Sequence, residues 1–218
     1  MLYLGKIIIF AIQLIHLSLK SITIDSRAKG LIFDLDGTIA DTMPVHFEVY
    51  RRILKNYGVD FTPEVFDTLA GVPAVGTFEK LNELYGLSLD AYEMGHYKEA
   101  EYEKMMHLIK PIEPVVDIIH QYHGKLPMAV GTGGYTRLAW KALQIIGLDN
   151  FFKILISSED VQNHKPHPDT FLKCAELMGV EPQYCLVFED GRLGIQAAET
   201  AGMMTVNVTD YYSVTTGK

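Results

Sequence analysis

The chain has 218 residues, 48% of them hydrophobic, and carries a formal charge of −8 with a pI near 5.4. That composition is neither disordered nor fibrous, and the acidic balance without a run of five basic residues argues against nucleic acid or an anionic membrane as the main partner. The two cysteines, Cys174 and Cys185, lie in apolar contexts without metal-ligand spacing and read as buried structural thiols in a reducing compartment.

The first stretch, "KIIIFAIQLIHLSLK", sets thirteen uncharged residues between Lys6 and Lys20. A bilayer span needs roughly 20 apolar residues, so no stable membrane span is expected. The length suits a signal-peptide core, yet "SLKSITIDSRAKG" offers no small-residue cleavage pair. Residues 1–22 therefore read as an apolar extension open to three interpretations: an unusual export signal, an element packed on the domain, or upstream sequence added by an early start. The last two are favoured, with a cytoplasmic protein as the expectation.

From Lys29 onward short apolar runs alternate with helical stretches, the pattern of βα units and a parallel sheet. The predicted strands are "GLIFDLD", "PMAVGT", "KILISS", "CLVFED" and "MMTVNV". Amphipathic stretches at 135–146, 169–178 and 192–201 each stop at a glycine suited to a helix C-terminus: Gly147, Gly179 and Gly202. Residues 45–110 instead show helical periodicity without a strand-like run, entered through Thr42 to Pro44 and left through "KPIEP". The expectation is an α/β core of residues 23–44 and 111–218 around an all-α insert of residues 45–110.

In an open parallel sheet the chemistry gathers at the carboxyl ends of the strands. There the sequence places Asp34 and Asp36, Thr132 with Gly133, and the pair Glu189 and Asp190, with Lys165 in the proline-stiffened loop "HKPHP". Residues two apart in a strand project to one side, so Asp34 and Asp36 are expected to share a site. Carboxylates this close need a cation or a shared proton, and the set Asp34, Asp36 and Asp190 suits Mg²⁺. Taken singly, "GTGG" fits any tight turn, a loop lysine is usually solvated, and two acids before a helix can be a simple N-terminal charge pair. His164 and His167 lack ligand companions and read as solvated, and Trp140 as helix packing.

The order D-x-D-G-T, strand-end Thr, Lys-Pro loop and strand-end E-D is far more specific than its parts. On "FDLDGTIADT", "MAVGTGG", "NHKPHPDTF" and "VFEDGRLGIQAA" the chain resembles the haloacid dehalogenase-like hydrolases, within them the β-phosphoglucomutase-like group with a helical cap. It is most similar there to phosphatases acting on fructose 1-phosphate and 6-phosphogluconate. The resemblance implies a Rossmann-like parallel-sheet core with an inserted all-α cap. It further implies Asp34 as nucleophile forming an aspartyl-phosphate and Asp36 as acid and base. Mg²⁺ would be held by Asp34, the Asp36 carbonyl and Asp190, with Glu189 close by; Thr132, Gly133 and Lys165 would bind phosphate. His46 and Lys98 match cap residues of the group that meet the substrate.

Asp36 favours oxygen-linked phosphate, because the dehalogenase and phosphonatase branches replace that acid. A phosphomutase, which must grip a second phosphate, is the rival. The cap segment from Asn56 to Glu79 holds no Lys or Arg, and "TGGYTR" places Gly134 and Tyr135 where the mutases carry Ser-Lys. The expected activity is thus Mg²⁺-dependent hydrolysis of a small phosphorylated sugar or polyol by a monomer. A phosphomutase and a non-catalytic phosphate-binding protein are the alternatives.

Overall fold

The computed structural model describes residues 21–69 and 71–212. The apolar stretch through residue 20, on which the readings of the extension depend, lies outside the described residues. Among the described residues no helix is long and apolar enough to cross a membrane.

The core is a five-stranded parallel sheet built from all five predicted strands: β1 (Gly30–Phe33), β4 (Met128–Gly131), β5 (Leu155–Ile156), β6 (Cys185–Glu189) and β7 (Met204–Asn207), in the order β5-β4-β1-β6-β7. Every pairing in it is parallel, with Phe33 in register with Val130 on one side and Phe188 on the other. Side-chain alternation divides the core in two. Leu31, Phe33, Val130, Leu186 and Phe188 join one apolar cluster, while Ile32, Ala129, Cys185 and Val187 join the other. The Phe33 and Phe188 rings stack at 4.6 Å across the strand pair that carries the site.

Helices cover both faces. Val115 and Ile119 of α5 (Glu113–Tyr122) and Leu138, Ala142 and Leu143 of α6 (Thr136–Ile145) pack on the first face. Phe171, Cys174 and Ala175 of α7 (Asp169–Met178) and Ala197 and Ala198 of α8 (Arg192–Thr200) pack on the second. Gly147, Gly179 and Gly202 all take positive φ after their helices, as the stop signals require. Both cysteines are buried and free, and burial pushes the Cys185 thiol up to about 11 and the Cys174 thiol to about 12. Helix α5 is one that the strand-and-helix reading leaves unassigned. Its Pro114 sits in the first turn, where proline is tolerated, and there resembles the linker signal taken from "KPIEP".

Between β1 and β4 the chain makes a two-stranded antiparallel ribbon, β2 (Ala40–Asp41) with β3 (Lys110–Pro111). Among the described residues four α-helices lie between its strands, α1 (Met43–Lys55), α2 (Pro63–Leu69), α3 (Ala74–Tyr85) and α4 (Ala91–Met105), followed by a short 3-10 turn at Met106–Leu108. They form the cap, packed internally by Phe47, Tyr50, Phe61, Phe66 and Phe78. Two-residue strands offer no periodicity, so the ribbon has no sequence signature. Asn82 ties α3 to the next turn by donating to the Leu89 carbonyl at 2.8 Å and accepting from its N–H at 3.1 Å.

Candidate active site

The cap closes over the carboxyl end of the sheet and leaves a cavity of about 180 Å³. Every residue the sequence nominates lines it: Asp34, Asp36, His46, Lys98, Thr132, Gly133, Lys165, Glu189 and Asp190. They fall into two groups with separate partners.

The first group stands at the ends of β1 and β6. Lys165 donates from Nζ to Asp34 Oδ1 at 2.6 Å and to Glu189 Oε1 at 2.7 Å. It reaches them from the loop before α7, where the Lys165–Pro166 bond is cis and Asn163 donates to the Asp169 carboxylate at 3.0 Å. Its ammonium also lies 4.6 Å over the Phe171 ring. Glu189 Oε2 accepts from the Gly191 N–H at 2.6 Å, and Asp190 Oδ1 accepts from Thr38 Oγ1 at 3.1 Å. Burial pushes the Asp34 carboxyl well above its ordinary value; Lys165 opposes that shift, while Glu189, Asp190 and Asp36 add to it. Burial and then Glu189 likewise raise Asp190. Burial works against the Lys165 charge, but Asp34 and Glu189 more than offset it and hold the ammonium above the usual lysine range.

Three carboxylates with one ammonium leave excess negative charge under low-dielectric packing. Asp34, Glu189 and Asp190 each offer one oxygen, all within 4.8 Å of one another. An all-oxygen, acidic donor set of this kind fits a hard divalent cation such as Mg²⁺. Two glycines make the close approach possible. At Gly37, with φ +82°, a Cβ would stand 2.3 Å from Asp190 Oδ2. At Gly194, in the first turn of α8, it would stand 1.7 Å from Glu189 Oε1.

Gly194→Ala is therefore expected to expel Glu189 from its place between Lys165 and the Gly191 amide. We expect a stability loss of about 1–3 kcal/mol by urea unfolding. Gly133→Ala, whose Cβ meets nothing within 4 Å, should stay within about 0.5 kcal/mol of the parent in the same measurement. Equal stability of the two variants would contradict the steric argument.

The second group surrounds Asp36 and joins core to cap. Leu31, Phe33 and Leu35 share one apolar cluster and Ile32 joins the other, so the side-chain alternation of β1 runs on past its last residue, and Asp34 and Asp36 both line the cavity. A tight turn follows: Thr38, Ile39 and Ala40 all donate backbone N–H groups to the Leu35 carbonyl, and Gly37 donates to the Ala40 carbonyl. Asp36 Oδ1 lies 3.5 Å from His46 Nε2, and Thr132 Oγ1 donates to Asp36 Oδ2 at 3.5 Å. Lys98 Nζ lies 2.9 Å from His46 Nδ1 and 2.9 Å from Glu99 Oε1. An ammonium only donates, so His46 Nδ1 accepts and Nε2 carries the hydrogen that faces Asp36. The His46 ring stacks on Tyr102 at 4.0 Å.

Burial would raise Asp36, but the His46 contact and the Lys98 charge outweigh it and hold the carboxyl below its ordinary value. His46 is lowered by burial and by Lys98, in spite of Asp36. Burial disfavours the Lys98 charge, yet Tyr50, Glu99 and Asp36 keep it raised.

Glu99, Tyr50 and Tyr102 also line the cavity, although no motif points to them. The available signal is helical spacing, since His46 and Tyr50 are four apart on α1 and Lys98 and Tyr102 four apart on α4. His164 and His167 are exposed and outside the cavity, and Trp140 packs against the core.

Residues 31–208 match the family model of the haloacid dehalogenase-like hydrolases. The chain belongs to this family. Among its relatives, the fructose-1-phosphate phosphatase YqaB of Escherichia coli is 42% identical over 183 residues, covering 84% of this chain and 97% of YqaB. The β-phosphoglucomutase of Bacillus subtilis is 28% identical over 188 residues, 83% of each chain. A crystal structure of a hydrolase from Pseudomonas syringae superposes with a TM-score of 0.74 at 23% identity, covering 85% of this chain and 87% of the other. As a haloacid dehalogenase-like hydrolase the protein is an enzyme, and its capped parallel sheet is the architecture expected from the four motifs.

Proposed function

We propose that this hydrolase releases phosphate from a small sugar monophosphate, fructose 1-phosphate or a similar compound, by way of an aspartyl-phosphate on Asp34. One observation carries the reading: a single cavity holds two carboxylates with opposite settings. Asp34 is buried against Lys165, and Asp36 faces His46 and Thr132. Kinship with the E. coli enzyme supports the sugar phosphate.

In this scheme Asp34 attacks phosphorus in line with the departing sugar oxygen, and Lys165, Thr132 and the amides beside Gly133 bind the other phosphoryl oxygens. Asp36 takes up a proton when the phosphate dianion arrives, because a second negative charge opposes the depression that His46 and Lys98 impose. It gives that proton to the leaving oxygen and afterwards draws one from the water that cleaves the acyl phosphate. Asp34 and Asp190 would hold Mg²⁺, with the Asp36 carbonyl and Glu189 beside them. The ion supplies positive charge that lets an anionic nucleophile meet an anionic phosphate.

The kinship with a β-phosphoglucomutase supports a phosphomutase reading more weakly. Among the described residues that line the cavity there is no arginine, and the two lysines are already engaged.

The test is a phosphate-release screen over hexose 1- and 6-phosphates, pentose phosphates, 6-phosphogluconate and p-nitrophenyl phosphate. Release from sugar monophosphates is expected with Mg²⁺, loss in excess EDTA, and recovery when Mg²⁺ is restored. Failure to release phosphate from any compound would leave a binding protein as the better reading. Transfer between sugar positions outpacing release would establish the mutase.

A further inference from the structure

One end of the cavity lies where α4 meets the loop before α6. Glu99 contributes a carboxylate there whose side chain is 17% exposed. Its Oε1 accepts from Lys98, and its Oε2 makes no hydrogen bond among the described residues. Lys98 itself is spent: 4% exposed, it is bound to Glu99 and His46 and lies 5.2 and 5.1 Å over the Tyr50 and Tyr102 rings. Across from α4, Tyr135 lines the same cavity, its ring stacked at 6.4 Å on His96 of the cap. Burial and then the Glu99 charge raise the Tyr135 hydroxyl above its ordinary value, so it remains a donor at neutral pH.

Lys98 is thus committed to Glu99 and His46, and the other lining lysine, Lys165, is held by Asp34 and Glu189. A free carboxylate oxygen and a tyrosine hydroxyl suit neutral hydroxyl groups, which can donate to one and accept from the other. A second anionic group would meet the Glu99 charge with no uncommitted cation to pair with.

We infer that Glu99, with Tyr135, forms a sugar-reading end of the cavity that favours an uncharged polyhydroxylated leaving group over one carrying a second phosphate or a carboxylate. The assignment rests on the hydrolase reading above, and it makes Glu99 a specificity residue that acts through its charge.

The test compares kcat/KM for fructose 1-phosphate, fructose 1,6-bisphosphate and 6-phosphogluconate, at fixed free Mg²⁺, in the parent, Glu99→Gln and Glu99→Asp. The parent should favour the singly phosphorylated neutral sugar by at least about tenfold. Glu99→Gln should shrink that preference by about tenfold, chiefly through a lower KM for the doubly charged substrates. Glu99→Asp, which keeps the charge, should retain most of it. An unchanged preference in Glu99→Gln, or an equal collapse in Glu99→Asp, overturns the inference. A parent that turns over p-nitrophenyl phosphate but none of the three sugar phosphates overturns it while leaving the hydrolase reading intact. A parent inactive on every phosphate ester removes both.

Discussion

Asp34→Asn should lower phosphate release by at least about 10⁴-fold, a loss of the size seen when a covalent nucleophile is removed. The substitution is isosteric, so the β1 backbone, including the Asp34 N–H bonded to the Phe188 carbonyl at 2.9 Å, has no reason to move. Its effect on stability should have the opposite sign from its effect on rate. The Asp34 carboxyl titrates above its unfolded value. The favourable contribution of such a group is present in acid and is lost as pH rises through the folded value. In the metal-free protein above the unfolded value, Asp34 therefore counts against stability. The neutral amide should leave the metal-free Tm no lower than that of the parent, while the Tm rise on adding Mg²⁺ should shrink. Substantial phosphatase activity in the variant would remove Asp34 from the chemistry. A large drop in metal-free Tm would show that its charge is structural.

Lys165→Met is expected to cost both activity and fold. The ammonium is nearly buried, with 9% of its side chain exposed, and is the direct partner of Asp34 and Glu189. Removing one member of such a buried set leaves its partners uncompensated, at about 3–5 kcal/mol in the metal-free protein. The raised Lys165 value places its contribution fully on the neutral side. It would fade only as pH climbs through a folded value above the ordinary lysine range. In the variant the carboxylates repel without relief. Stability should therefore return in part as the pH is lowered and they protonate, and also when Mg²⁺ is added. Urea unfolding at several pH values, with and without Mg²⁺, reads both recoveries. An unfolding free energy within about 0.5 kcal/mol of the parent at neutral pH would sink the account. Activity should fall by at least about 10²-fold, because the lysine also faces the phosphoryl oxygens in the proposed reaction.

The five strands, three of the core helices and their glycine stops were legible in the sequence, because each is a local pattern. A run of apolar residues buried on both faces reads as a parallel strand, and a glycine at positive φ reads as a helix end. The helical character of residues 45–110 was legible for the same reason. Helix α5 and the β2–β3 ribbon were not. The first begins with a proline that also serves as a loop signal, and the second has too few residues to show a period.

The candidate site divides along the same line. Asp34, Asp36, Thr132, Lys165, Glu189 and Asp190 could be nominated because each follows a readable strand or sits in a stiff loop. Their separation into a cluster around Lys165 and a chain through His46 to Lys98 could not. It depends on contacts spanning 131 residues for Asp34 with Lys165 and 52 for His46 with Lys98. Local patterning determined which acids stand at the mouth of the sheet. Tertiary packing alone decided which cation each acid faces, and that Glu99 lines the cavity beside a lysine already engaged. A side chain's charge environment is set by neighbours in space, and those neighbours are remote in sequence.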